Sequence, residues 1–159
     1  MKVWFVRHAE AEDADAAGSD SQRALTARGR RQFREVADWL LEHAGAPELI
    51  LTSPLVRAVQ TAQILAEAAE LSEHDCRIDE RVAPGIAPQA LIDAVMALGL
   101  KCVAVVGHEP DMSRCTSALI GGGSISFPKG GVTCIEFEGP PAVGAGSLRW
   151  MVTPRLLRD

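Results

Sequence analysis

Lys101-Cys102-Val103-Ala104-Val105-Val106 runs straight into Gly107-His108-Glu109-Pro110. A β-branched apolar run broken by glycine and proline reads as a buried strand that feeds a loop. Working outward, residues 2–6 (Lys-Val-Trp-Phe-Val) repeat the design and end on Arg7-His8. Residues 48–52 (Glu-Leu-Ile-Leu-Thr) form a third short run, followed by Ser53-Pro54. Ser53 suits a helix N-cap and Pro54 the first turn, where a missing N–H costs nothing. The apolar helix they open extends to about Leu71 and carries Arg57 in its first turn.

Between these runs the period changes to that of helices. From Leu25, residues Phe33, Val36, Ala37, Leu40 and Leu41 share one face, and Gly45 and Pro47 punctuate the end. Residues 10–22 read as a polar, acidic loop. A brief strand is expected over 76–78, a loop over 79–88, a helix over 89–98 and another over 111–120, before the turn Gly121-Gly122-Gly123. Residues 131–138 and 147–153 read as two strands joined by a Pro-Gly loop, a hairpin at the sheet edge. Strand alternating with helix predicts a three-layer α/β/α sandwich, its central sheet mainly parallel with an antiparallel edge. At 159 residues the chain is expected to be one domain, 1–159.

Composition narrows the function. Apolar residues make up 47% and charged residues 23%, which excludes disorder, collagen and coiled coil. Sixteen Lys and Arg against 21 Asp and Glu give a net charge of -5, so no nucleic-acid coat or anionic membrane is expected as partner. No stretch approaches the roughly 20 apolar residues of a membrane span. The first apolar run stops after four residues at Arg7-His8, short of a signal peptide, and a cytoplasmic protein is the expectation. Cys76, Cys102, Cys115 and Cys134 show no CxxC or CxxH spacing and read as structural thiols of a reducing compartment.

Ligands of open α/β sheets bind at the carboxyl ends of the strands. Three of the strands deliver unusual groups there: Arg7-His8, Arg57 just after the second, and His108. Two guanidiniums and two imidazoles make a site for a dianionic phosphoryl group, since the planar fork of Arg matches phosphate oxygens. A lone Arg or His at such a place would ordinarily be a solvated charge or a satisfied core histidine. An Arg-His pair abutting a buried strand is costly without a partner or ligand. His43 and His74, in a helix end and a polar loop, carry no such signal.

Val6-Arg7-His8-Ala9, the stretch from Thr52-Ser53-Pro54 through Arg57 to Thr61-Ala62, and Val105-Val106-Gly107-His108-Glu109-Pro110 resemble the three signatures of the histidine phosphatase superfamily, the phosphoglycerate mutase-like fold. Leu25-Thr26-Ala27-Arg28-Gly29 and Lys129-Gly130-Gly131-Val132 resemble its small SixA-type phosphohistidine phosphatases. The resemblance implies that His8 is the nucleophile taking the phosphoryl group, that Arg7 and Arg57 clamp its oxygens and that His108 completes the pocket. A neutral imidazole can attack phosphorus without a separate base, and His108 facing the phosphate charge would be pushed toward its protonated form. No metal and no cofactor are implied, and the sequence contains no HExxH, EF-hand or GxxxxGK[ST] pattern.

Two departures qualify the resemblance. The first signature usually ends in Gly, and Ala9 stands here, which matters only where φ is positive or a ligand approaches closely. In larger relatives a Glu protonates the leaving oxygen, and Asp79-Glu80-Arg81 resembles that segment, making Glu80 the general-acid candidate against a plain surface carboxylate. Lys129 is a further candidate anion contact. Glu10, Glu12, Asp13, Asp15 and Asp20 read as a solvated loop near the rim. Only 50 residues separate Arg57 from His108, leaving little room for an inserted lid. An open pocket suits a phosphorylated protein, such as a histidine phosphotransfer domain, as substrate partner. A small-molecule phosphomonoesterase or mutase, and a noncatalytic phosphate-binding module, are the competing readings.

Overall fold

In the computed structural model, which describes residues 1–158, the chain order is β1 (Lys2–Arg7), α1 (Ala14–Ala17), α2 (Ala27–Ala44), β2 (Leu49–Thr52), α3 (Val56–Ala68), β3 (Cys76–Ile78), α4 (Pro88–Met96), β4 (Cys102–Gly107), α5 (Asp111–Leu119), β5 (Val132–Glu136) and β6 (Ser147–Val152). The six strands form one sheet in the order β3-β2-β4-β1-β5-β6. β1, β4, β2 and β3 run parallel, and β5 and β6 add an antiparallel edge.

Side chains alternate across each strand, and helices cover both faces. Trp4, Val6, Ile50, Ala104 and Val106 point to one face, where Phe33, Val36 and Leu40 of α2 and Ala58, Ala62 and Leu65 of α3 meet them. Val3, Phe5, Leu51, Val103 and Val105 point to the other, against Leu91, Ile92 and Val95 of α4 and Met112, Cys115 and Leu119 of α5. Each large aliphatic side chain buried this way contributes roughly 1.5–3 kcal/mol. The observed layers are those of the phosphoglycerate mutase-like α/β/α sandwich expected from the sequence.

Three local features differ from expectation. The loop over 10–22 contains α1 and a 3-10 turn at Asp20–Gln22. Ser53 is not the N-cap of α3, which starts at Val56 after Leu55. Instead the Ser53 N–H donates to the Val106 carbonyl (3.0 Å), carrying the β2 ladder one residue further, while its Oγ accepts from the Leu55 N–H (3.3 Å). The expected loop over 79–88 opens with a 3-10 turn, Glu80–Val82, pinned by buried Val82 and by the Asp79 carboxylate, which accepts from the Arg81 N–H.

One glycine is fixed by close approach. A Cβ on Gly29, in the first turn of α2, would lie 2.2 Å from the Glu10 carbonyl oxygen. The same turn is capped by Thr26, whose Oγ1 accepts from the Gly29 N–H (2.9 Å) and donates to Glu10 Oε1 (3.0 Å). The Thr-Ala-Arg-Gly segment therefore seats α2 on the chain two residues past His8. Among the described residues no helix is long and apolar enough to cross a membrane, and the four cysteines are free thiols.

Candidate active site

The register of β1 with β4 pairs Arg7 with Gly107, so the next residues, His8 and His108, leave the sheet side by side. The His8 N–H donates to the Gly107 carbonyl (3.0 Å), and the two imidazoles stand 5.3 Å apart between ring centroids. From the far side of β1, the Gly130 N–H donates to the carbonyls of Arg7 and His8, both at 3.1 Å. β2 lies on the other side of β4, and the first turn of α3 brings in Arg57. His8, Arg57 and His108 are each about 95% buried, which is exceptional for such groups and places them in one desolvated cluster.

Hydrogen bonds fix the chemistry of His8. Its Nδ1 lies 2.7 Å from the Ala9 carbonyl, which can only accept, so Nδ1 carries the proton. Nε2 then holds a lone pair and accepts from Arg57 Nε–H at 3.2 Å. Burial pushes the His8 pKa down to about 3, opposed by the Ala9 bond and reinforced by His108, Arg57 and Arg7. The imidazole is thus neutral at pH 7 with its free nitrogen turned to a cation. Ala9 is itself buried, and its φ is not positive, so alanine at this position is unstrained. Its N–H donates to Thr61 Oγ1 (3.1 Å), and that hydroxyl donates to the Arg57 carbonyl (2.7 Å), tying the β1 end to α3.

His108 differs. Its Nε2 lies 2.7 Å from Ser53 Oγ, and its buried Nδ1 has no partner among the described residues. Burial, then Arg57, pushes its pKa down to about 4, while Asp111 and Asp20 act in the opposite direction. Protein groups alone therefore leave His108 neutral, and the cationic form expected of it requires an added negative charge. Arg7 anchors through its NH1 on the Phe127 carbonyl (2.7 Å), and its buried Nε is unpartnered.

The sequence brings Arg7, His8, Arg57 and His108 to one cluster, whereas Glu80 and Lys129 stand apart from its hydrogen-bond network. Glu80 is exposed at the start of its 3-10 turn and makes no side-chain hydrogen bond or ion pair among the described residues. Lys129 is exposed beside Gly130.

Asp20, read as a solvated loop residue, instead holds Arg57. Its carbonyl accepts from Arg57 NH1 (2.8 Å) and its carboxylate from NH2 (3.2 Å). Nothing in the sequence separates Asp20 from the other acids of that loop. Ser53 and Thr61 lie inside the second signature but read as ordinary helix residues, because their roles depend on cross-strand neighbours.

Residues 3–83 match the histidine phosphatase superfamily (branch 1). An uncharacterised protein of Picosynechococcus sp. is 37% identical over 126 residues, covering 75% of this chain and 73% of its own length. The chain belongs to the histidine phosphatase superfamily. Phosphohistidine phosphatase SixA of Escherichia coli is 27% identical over 162 residues, covering 97% of this chain and 94% of its own. The structure of the protein histidine phosphatase SixA complexed with tungstate superposes with a TM-score of 0.88 at 26% identity, covering 99% and 100% of the two chains. Fold and family together support a histidine phosphatase superfamily hydrolase.

Proposed function

We propose that the chain hydrolyses phosphohistidine on a protein through a covalent phosphohistidine at His8. The observation that carries this reading is the neutral His8 imidazole, its Nδ1 proton on the Ala9 carbonyl and its Nε2 lone pair facing Arg57. The similarity to SixA over nearly the whole chain supports the substrate class.

Nε2 of His8 attacks phosphorus; a P–N bond to His8 forms as the P–N bond to the substrate imidazole breaks. The departing imidazole leaves with the electron pair and carries the proton it already held, or takes one from water. Arg7 and Arg57 supply guanidinium donors to the equatorial oxygens, where a phosphoryl transition state spreads its charge. Arg57 must loosen from the Asp20 carboxylate to do so. The dianion beside His108 raises its pKa, giving a third cation, and its unpartnered Nδ1 offers the donor. Water then attacks phosphorus, the P–N bond to His8 breaks, and inorganic phosphate and neutral His8 are restored.

Phosphohistidine suits a site whose acid is not engaged. An imidazole departs far more easily than an alkoxide, so the exposed Glu80 is not required for it. Much of the segment between Arg57 and His108 is taken up by α3, β3, α4 and β4, leaving little room for an inserted lid. A phosphohistidine peptide, sugar phosphates and nucleotides compared on the same preparation test the reading. The peptide is expected to lead in kcat/KM by at least about 100-fold, an advantage of some 3 kcal/mol in transition-state stabilisation. Equal or faster turnover of a phosphomonoester would make the chain a general phosphatase, and tight phosphate binding without turnover of any compound would make it a binding module.

A further inference from the structure

Beside the catalytic cluster runs a groove of about 690 Å³ with four cations on its walls, Arg28, Lys129, Arg155 and Arg158. We infer that this groove docks an acidic stretch of the substrate protein next to its phosphohistidine, an inference that rests on the function proposed above.

The groove adjoins His8 through two short links. Lys129 precedes Gly130, whose N–H holds the carbonyls of Arg7 and His8. Arg28 lies on the first turn of α2, 4.0 Å from the carboxylate of Glu10, two residues past His8. These links set the groove against the segments that carry Arg7 and His8, so a peptide that presents phosphohistidine to His8 can extend along it.

Two of the cations are held together, and among the described residues little neutralises the four. The Gln32 amide oxygen, turned toward the guanidiniums, accepts from Arg28 Nε (2.9 Å) and from both terminal nitrogens of Arg158. A neutral amide thus stands between two positive groups that repel each other. Among the described residues only two carboxylates approach, Glu10 at 4.0 Å from Arg28 and Glu35 at 3.8 Å from Arg158, both at the limit of an ion pair and both with Arg side chains open to water. Such contacts are worth little. Lys129 and Arg155 are exposed and have no ion pair among the described residues.

Met151 and Pro154 give the groove an apolar floor on which aliphatic stems can lie. The space is much larger than one phosphate needs, and fits several residues of a chain. In a protein of net charge -5, four cations gathered in one groove concentrate positive charge locally, so an acidic partner is steered toward it.

Two synthetic peptides test the inference, each with a central phosphohistidine, one flanked by Glu and Asp and the other by Gln and Asn. The wild type is expected to show a KM about tenfold lower for the acidic peptide, the effect of two or three exposed charge pairs. The double variant Arg28→Glu/Arg155→Glu should erase that preference and keep phosphoramidate hydrolysis within about twofold of wild type, while Arg28→Lys/Arg155→Lys retains it. Equal KM values in the wild type, or a preference that survives charge reversal, would overturn the inference. A single-stranded oligonucleotide that outcompetes the acidic peptide would also overturn it, by assigning the groove to nucleic acid. Fluorescence anisotropy of the acidic peptide with unphosphorylated histidine separates docking from chemistry. Weakening by charge reversal supports the groove even where nothing is turned over, in which case the proposed hydrolysis fails alone; binding indifferent to reversal overturns the groove.

Discussion

Lowering the pH from 7 to 5 is expected to remove about 4 kcal/mol of folding stability through two imidazoles. In the unfolded chain His8 and His108 titrate near their ordinary value of about 6.5. In the fold, burial holds them down, to about 3 and about 4. Between those limits the unfolded chain binds two protons that the native state refuses, so stability is fully present above pH 6.5 and is lost as the pH falls. At pH 5 each unfolded imidazole is almost fully charged, which favours unfolding by about 2 kcal/mol. That figure depends on the unfolded value and the pH, and hardly changes for any folded value near or below 4.

Urea unfolding at pH 7 and pH 5 measures it. His8→Asn and His108→Asn should each remove about half of the pH dependence, whatever they do to stability at pH 7, and the double variant should remove most of it. For a chain of this length the wild-type midpoint temperature is expected to fall by roughly 8–16 °C over the same interval. Asp20 and Asp79, held below the usual carboxylate range chiefly by Arg23 and Arg81, lose their contributions at lower pH and stay outside the window. If His8→Asn loses as much stability on acidification as the wild type, His8 titrates normally and the buried, neutral imidazole is wrong.

Gly29→Ala, which forces a Cβ to within 2.2 Å of the Glu10 carbonyl oxygen, should cost about 3 kcal/mol in a thermal melt, and a loss below about 1 kcal/mol would mean that the segment after His8 yields freely. Asp20→Asn frees Arg57 from a competing charge at a site where the carboxylate is 61% exposed. It should lower KM for phosphoramidate by about two- to fivefold, whereas a higher KM would show that Asp20 positions Arg57 for the substrate. Glu80→Gln should leave phosphohistidine hydrolysis within about threefold of wild type and slow phosphomonoester hydrolysis by about 100-fold if Glu80 serves as an acid there. Equal losses on both would place the carboxylate in the phosphohistidine reaction too.

The cluster of Arg7, His8, Arg57 and His108 was readable because strand ends are local signals. Arg7-His8 and Gly107-His108 each interrupt a buried apolar run, and parallel pairing of β1 with β4 places the two interruptions together. Charge at the end of such a run stands out without knowledge of the partners. Ser53 and Asp20 lack this contrast. The N-cap expected of Ser53 failed because a cross-strand bond to Val106 competes for its backbone, a neighbour 53 residues away in sequence. Asp20 is one acid among several in a polar loop, and its bond to Arg57 exists only because the 3-10 turn at Asp20–Gln22 folds against α3. The groove cations come from the start of α2, the Lys129 turn and the segment after β6, so that no window of sequence contains them together.

Rapid quenching after mixing with a phosphohistidine peptide, followed by ³¹P NMR of the denatured protein, shows whether and where His8 takes the phosphoryl group. The tautomer fixed by the Ala9 carbonyl predicts an acid-labile, base-stable phosphoryl group on Nε2 of His8, absent in His8→Ala. Phosphate on Nδ1, or label that persists in His8→Ala, would contradict it.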